Sequence, residues 1–198
     1  MENNNQEIIK HALNVMDIKL KDDEIELVQS VNMREYAVAN KEKPLLLTVG
    51  LQSCIALYGW CKDFSYLAHM NMRTVESDFY TDEQGNPIKC KKIEDLYNEI
   101  LKCKDKITET INIGIILGVR PLEESSLGRR IIEKDLLNIF SKLKEQNINV
   151  YRTPNLNAFS LVLDSRNGDI ILEDDKKISL TQLCKNTKTV ENQDTERI

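Results

Sequence analysis

The chain has 198 residues, 41% of them hydrophobic, 30% charged and only 6% aromatic. That composition suits one globular domain with an Ile, Leu and Val core, and excludes both a disordered chain and two full-sized domains. With 27 basic against 32 acidic residues the net charge is -5 and no basic stripe stands out, which argues against nucleic acid or an anionic membrane as partner.

Met1-Glu2-Asn3-Asn4-Asn5-Gln6 is polar and lacks the regions of a secretory signal. Residues 6–20 then place Ile8, Ile9, Ala12, Leu13, Val15 and Met16 at the spacing of an amphipathic helix. The charged stretch 19–26 reads as a solvated connection, and 34–39 as a strand. Pro44 opens short apolar runs at 45–47, 55–58 and 64–72, with a turn-like stretch between the first two. Residues 82–87 form a loop by composition, and Ile93, Leu96, Tyr97, Ile100 and Leu101 mark a second helix. A buried strand at 111–117, a helix over 129–146 and a strand over 147–152 follow, with Ile131, Ile132, Leu136, Ile139, Phe140 and Leu143 on one helix face. Runs at 159–164 and 169–172 flank Ser165-Arg166-Asn167-Gly168. Asn-Gly accepts positive φ at both central turn positions, so a tight hairpin is expected there, at the end of the fold.

Strands outnumber helices and do not alternate strictly with them. The expected fold class is α+β: a β-sandwich of mixed or antiparallel sheets covered by helices. One domain is expected over residues 1–184, with its core at about 30–173 and a polar tail at 185–198. No apolar stretch approaches bilayer-spanning length, so no membrane insertion is expected. Five cysteines (Cys54, Cys61, Cys90, Cys103 and Cys184) are an odd set without framework spacing. They favour reduced thiols and a cytoplasmic location, unless a specialised secretion system exports the chain.

The chain has two histidines, His11 in the N-terminal helix and His69 inside an apolar strand. His-assisted chemistry therefore falls on His69. Cys54 follows Gly50-Leu51-Gln52-Ser53, where Gly50 permits a tight turn that presents a side chain and lines up backbone N–H groups. A thiol there is activated if a neighbouring imidazole takes its proton. Pairing of the two strands as a hairpin brings Cys54 and His69 together. The same two residue types are also common as buried, purely structural residues. A zinc site through Cys54, Cys61 and His69 lacks a Cys-x-x-Cys pair and a fourth ligand. Gly114, Gly118 and Gly128 make no phosphate-cradling loop, and Arg129-Arg130 reads as solvated surface.

Thr48-Val49-Gly50-Leu51-Gln52-Ser53-Cys54-Ile55-Ala56, followed by Leu67-Ala68-His69-Met70, resembles the active-site stretch of the chemoreceptor glutamine deamidase family CheD. That family reads Thr-x-Gly-Leu-Gly-Ser-Cys-Val and then Gly-Gly-Met-Ala-His. Glu35-Tyr36-Ala37-Val38 falls where the family has its Glu-bearing first strand, and the order of elements is similar from about residue 30 to 173. The resemblance implies a CheD-like sandwich and a protein-glutamine deamidase. In it Cys54 is the nucleophile, His69 the base and Thr48 the residue holding the imidazole. The turn of Gly50, Gln52 and Ser53 supplies oxyanion donors, and no metal or organic cofactor takes part. The chemistry is also similar to that of cytotoxic necrotizing factor-type deamidases. Implied partners are a chemoreceptor-like protein substrate and a CheC-type phosphatase. Here Ser65-Tyr66 stands where the family has Gly-Gly, and Gln52 where it has Gly. Two alternatives stay open: a non-catalytic CheD-like module docking a phosphatase-type partner, and a deamidase with a target outside chemotaxis. The catalytic reading expects Cys54 and His69 side by side at a cleft, with the Cys54 thiol exposed and its pKa lowered.

Overall fold

The computed structural model describes residues 2–70, 79–81, 87–89, 93–107, 109–119 and 123–182. In chain order these form α1 (Glu2–Val15), α2 (Asp22–Ile25), β1 (Val28–Ser30), β2 (Tyr36–Val38) and β3 (Leu45–Thr48). Next come β4 (Ile55–Cys61), β5 (Phe64–Met70), a small separate pair β6 (Phe79–Thr81) and β7 (Pro87–Lys89), α3 (Ile93–Lys102) and β8 (Ile111–Leu117). The last part holds α4 (Glu123–Glu145), β9 (Val150–Arg152), β10 (Leu156–Asn157), β11 (Leu161–Asp164), β12 (Asp169–Leu172) and β13 (Lys177–Ser179).

The strands build two mixed sheets. One runs β1-β3-β11-β12-β13, and the other β10-β8-β4-β5-β2 with β9 also paired to β8. Strand side chains alternate between faces, so near-continuous apolar runs make sheets buried on both sides. Ala56, Tyr58 and Trp60 of β4 meet Leu46, Leu161, Leu163 and Ile170 in the space between the sheets. The alternate residues Ile55, Leu57 and Cys61 pack with Ile100 of α3 and Leu136, Ile139 and Leu143 of α4. On the far side Ile9 and Leu13 of α1 and Ile25 of α2 cover Leu45, Leu47, Val162 and Ile171. The result is four layers: helices, sheet, sheet, helices. Each fully buried Leu or Ile in these layers contributes about 1.5–3 kcal/mol. This is the helix-covered α+β sandwich that the sequence predicts. Among the described residues, no helix is long and apolar enough to cross a membrane.

Several local expectations are corrected. The 19–26 stretch is not a bare connection: it forms α2, buries Ile25, and its Glu24 accepts a 2.7 Å hydrogen bond from Arg166. Two apolar residues, Leu20 and Ile25, among six charged ones are too sparse a signal to read. The β11–β12 hairpin lies in the middle of its sheet, flanked by β3 and β13, and not at the end of the fold. Its loop has four residues, and only Gly168 adopts positive φ (76°). The Asp164 carboxylate widens that loop by accepting from the Arg166 N–H and Nε at 3.0 and 2.8 Å. Strands β1, β10 and β13 have two or three residues each, too few to show a period. Of the 82–87 loop, Pro87 instead opens β7, and residues 82–86, the 185–198 tail, Cys90, Cys184 and the side chains of residues 129–132 lie outside the described residues.

Candidate active site

Strands β4 and β5 pair antiparallel, with Ala56 opposite His69 and Ile55 opposite Met70. Cys54 stands just before β4 and packs with Ala56 and Leu67 in the layer between the sheets. His69 alternates with Ala68 and Met70, which face the α3–α4 layer, so its side chain enters that same inter-sheet space. Cys54 and His69 are therefore diagonal neighbours on one face of the hairpin. Thr48 ends β3 in the opposite sheet, and its Oγ1 lies 2.8 Å from His69 Nδ1. One hydrogen bond thus joins the two sheets and gathers Thr48 and His69 at the end where Cys54 enters.

The protons of that bond can be placed. Thr48 Oγ1 donates to the Val31 carbonyl at 2.8 Å. A hydroxyl has a single proton, so toward His69 the same oxygen accepts. Nδ1 then carries the ring hydrogen, and Nε2 keeps the lone pair. Nε2 is fully buried and has no hydrogen-bond partner among the described residues. A structural histidine usually has both nitrogens satisfied. This one holds a free base in an interior it shares with a thiol.

The turn before Cys54 is fixed from two sides. Gly50 has φ 78°, a region that only glycine enters without steric cost. The Leu51 N–H donates to Phe159 O at 2.8 Å, and the Gln52 N–H closes on Gly50 O at 2.7 Å. Gln52 is therefore committed within the turn, with its side chain exposed. The N–H groups of Ser53 and Cys54 have no such acceptor among the described residues. Just past β8, the Gly118 N–H donates to Cys54 O at 3.0 Å and the Val119 N–H to Leu51 O at 3.1 Å. A Cβ at Gly118 would overlap the carbonyl oxygens of Leu51 and Gln52. Gly118→Ala is accordingly expected to push the turn away. If Cys54 acts as a nucleophile, its rate should fall on the order of 10²-fold for a shift near 1 Å, with a lower melting temperature. Rate and melting curves measured side by side check this.

Burial decides the resting charges. Cys54 is 6% exposed and His69 3%. The expected open cleft and lowered thiol pKa are not what the structure has. Desolvation pushes the Cys54 thiol up, opposed by the positive charge of Arg34. The cause is the apolar seat formed by Leu46, Leu51, Ala56 and Ile116, which disfavours the thiolate. Desolvation also holds His69 down at about 4, from an ordinary 6.5. The pair rests as neutral thiol and neutral imidazole.

The depressed His69 value has a consequence for stability. Unfolded chain takes up this proton near pH 6.5, folded chain only near pH 4. The contribution is complete above pH 6.5 and is lost as pH falls toward 4, amounting to about 3 kcal/mol. Urea unfolding at pH 7.5 and 4.5 should show a smaller difference between the two conditions in His69→Gln than in wild type. An equal difference would mean that His69 is already charged in the folded protein.

The remaining candidates separate. Cys61 faces α3 and α4, on the opposite side of β4 from Cys54, so Cys54, Cys61 and His69 do not converge on a metal. His11 is exposed on α1. Three contributors escaped the sequence reading: the Val31 carbonyl, Gly118 and Arg34. Gly118 carries a weak signal, a glycine closing an apolar strand. Val31 acts through its backbone, which no side-chain pattern reports.

Fold and site together define a four-layer α+β sandwich with a Thr–His bond across its sheets and a thiol beside it. No family model matches the chain, and no curated protein matches it.

Proposed function

We propose that this protein is a cysteine-dependent protein-glutamine deamidase of the CheD type. The observation that carries the reading is the fixed tautomer of His69. Its Nδ1 proton is held by Thr48 and its buried Nε2 is left free as a base. Nε2 takes the Cys54 proton as Sγ attacks the side-chain amide carbon of glutamine. The N–H groups of Ser53 and Cys54 face the developing oxyanion. The C–N bond breaks, and ammonia leaves with the proton returned by Nε2. Water then loses a proton to Nε2 and attacks the thioester carbon. Glutamate is released and Sγ recovers the proton.

Burial favours a side-chain amide over a peptide bond. A recessed thiol is reached by one slender group on a flexible stem more readily than by an extended backbone. The resemblance at Thr48, Cys54 and His69 points to a chemoreceptor-like protein as substrate. One observation favours a second reading, a docking module for a CheC-type phosphatase: both Cys54 and His69 are closed off in the resting structure.

The test incubates the protein with methyl-accepting receptor fragments and, separately, with a denatured protein mixture, and maps the products by mass spectrometry. Gln-to-Glu conversion in the receptor fragments supports the proposal. Conversion in the mixture alone moves the target outside chemotaxis. No conversion combined with tight binding of a CheC-type phosphatase favours the docking module. New Cys54-dependent peptide termini mean a protease.

A further inference from the structure

Cys54 and His69 occupy one end of the layer between the sheets, and the other end of that layer holds a recess. Ser65 lies on β5 opposite Trp60 of β4, about 13 Å along the strand from His69. Phe64 and Tyr66 pack toward α3 and α4, so the side chain between them enters the inter-sheet space. There it lines a recess of about 860 Å³, a volume that accommodates a small ligand. Ser65 is 3% exposed, and its Oγ is buried with no hydrogen-bond partner among the described residues. Leaving a buried hydroxyl unpaired costs about 1–3 kcal/mol, so this one calls for a partner from outside the chain.

The walls are fixed before any ligand arrives. Asn40 Oδ1 accepts from the Glu42 and Lys43 N–H groups at 2.9 and 2.8 Å, which sets the turn between β2 and β3. The Ser165 N–H donates to Pro44 O at 2.9 Å, and Trp60 Nε1 donates to Ser165 O at 3.0 Å. The β11–β12 loop is thereby tied to both sheets. Arg166 also lines the recess, but its charge is committed to Asp164 and Glu24, at 2.7 Å each. Four exposed charges on the rim are not committed: Lys41, Lys62, Asp63 and Asp105 form no ion pair among the described residues. Two ammoniums and two carboxylates select by sign. The carboxylates repel a phosphate, and the ammoniums repel a bare metal ion. Among the described lining residues the one aromatic is Phe64, which packs toward α3 and α4 and offers no ring face to a base or a sugar.

We propose that this recess binds a zwitterionic ligand of the amino-acid or short-peptide class, one that carries an ammonium and a carboxylate together. Lys41 and Lys62 attract the carboxylate, Asp63 and Asp105 the ammonium, and Ser65 Oγ donates to a ligand oxygen. Ala39 and Pro44 give the ligand's side chain an apolar wall. The site lies apart from Cys54 and does not depend on the reaction proposed there.

The test titrates the full chain, labelled with nitrogen-15, with alanyl-alanine, its N-acetylated and C-amidated forms, L-alanine and inorganic phosphate. Alanyl-alanine is expected to bind saturably in the millimolar range and to shift the amide signals of residues 62–65 and 165–166. Blocking either end should weaken binding about ten-fold, the loss of one charge-assisted contact. Whichever of L-alanine and the dipeptide binds tighter tells a free amino acid from a peptide end as the ligand. Ser65→Ala should bind the dipeptide about ten-fold more weakly yet melt no lower than wild type, because an unpaired hydroxyl does not stabilise the free protein. Phosphate bound as tightly as the dipeptide makes the recess an anion site and overturns the proposal. A titration that never saturates, equal affinity for the blocked forms, or undiminished binding by Ser65→Ala overturns it as well. So does a Ser65→Ala protein that melts clearly lower, since the hydroxyl then has its partner within the chain.

Discussion

Cys54→Ala is expected to abolish Gln-to-Glu conversion, and His69→Ala to lower it by about 10³-fold or more. The two losses have different origins. Without Sγ no thioester forms, and only slow attack by water is left. Without Nε2 the thiol remains but cannot ionise, because its seat among Leu46, Leu51 and Ala56 already disfavours the thiolate. The double variant should be no slower than Cys54→Ala alone, since nucleophile and base act as one unit. Cys54→Ala removes one atom and should melt close to wild type, whereas His69→Ala deletes a buried ring and its bond to Thr48 and should melt lower, so its rate is compared at a temperature where the melting curve shows it folded. Initial rates on one substrate glutamine, quantified by mass spectrometry, measure the effect. If Cys54→Ala retains wild-type conversion, the thiol is not the nucleophile.

The architecture was legible where apolar runs were long. Strands β5 and β8 and the first four residues of β4 follow from apolar runs, and α3 and α4 from helical period, although α4 begins six residues before the 129–146 reading. The shared face of Cys54 and His69 was legible on one condition, that the two apolar runs pair as a hairpin, and the register of β4 and β5 sets them on a diagonal. What stayed hidden was long-range or backbone-borne. Nothing local says that β11 lies against β3, yet that pairing helps bring the end of β3, and so Thr48, to the site. Nothing local says that Arg34 has positive φ, a conformation that Arg avoids by propensity. Solvent exposure was misjudged for the same reason. Gly50-Leu51-Gln52-Ser53 reads as an open turn, but Phe159, Gly118 and Val119 reach it from distant elements and fold it against the core.

Thr48→Val tests the placement of the imidazole proton. Valine matches threonine in shape, so the fully buried position is filled without a cavity. Two hydrogen bonds vanish: the one donated to Val31 O and the one accepted from His69 Nδ1. Each buried group left unsatisfied costs about 1–3 kcal/mol, so the variant should melt measurably lower. The larger effect is chemical. Freed from Thr48, the ring gains nothing by keeping its hydrogen on Nδ1 and can turn or shift it to Nε2, which removes the free lone pair on Nε2. Wrong-tautomer losses of this kind are on the order of 10²-fold or more in kcat. KM should change little, because Thr48 bonds Nδ1, the ring nitrogen that does not act as the base. Thr48→Ser keeps the hydroxyl and should recover most of the rate, which separates the proton-holding role from simple packing. Nitrogen-15 shifts of the single buried histidine report directly which ring nitrogen is protonated. A Thr48→Val protein with the Nδ1–H tautomer retained and kcat undiminished would remove Thr48 from the mechanism.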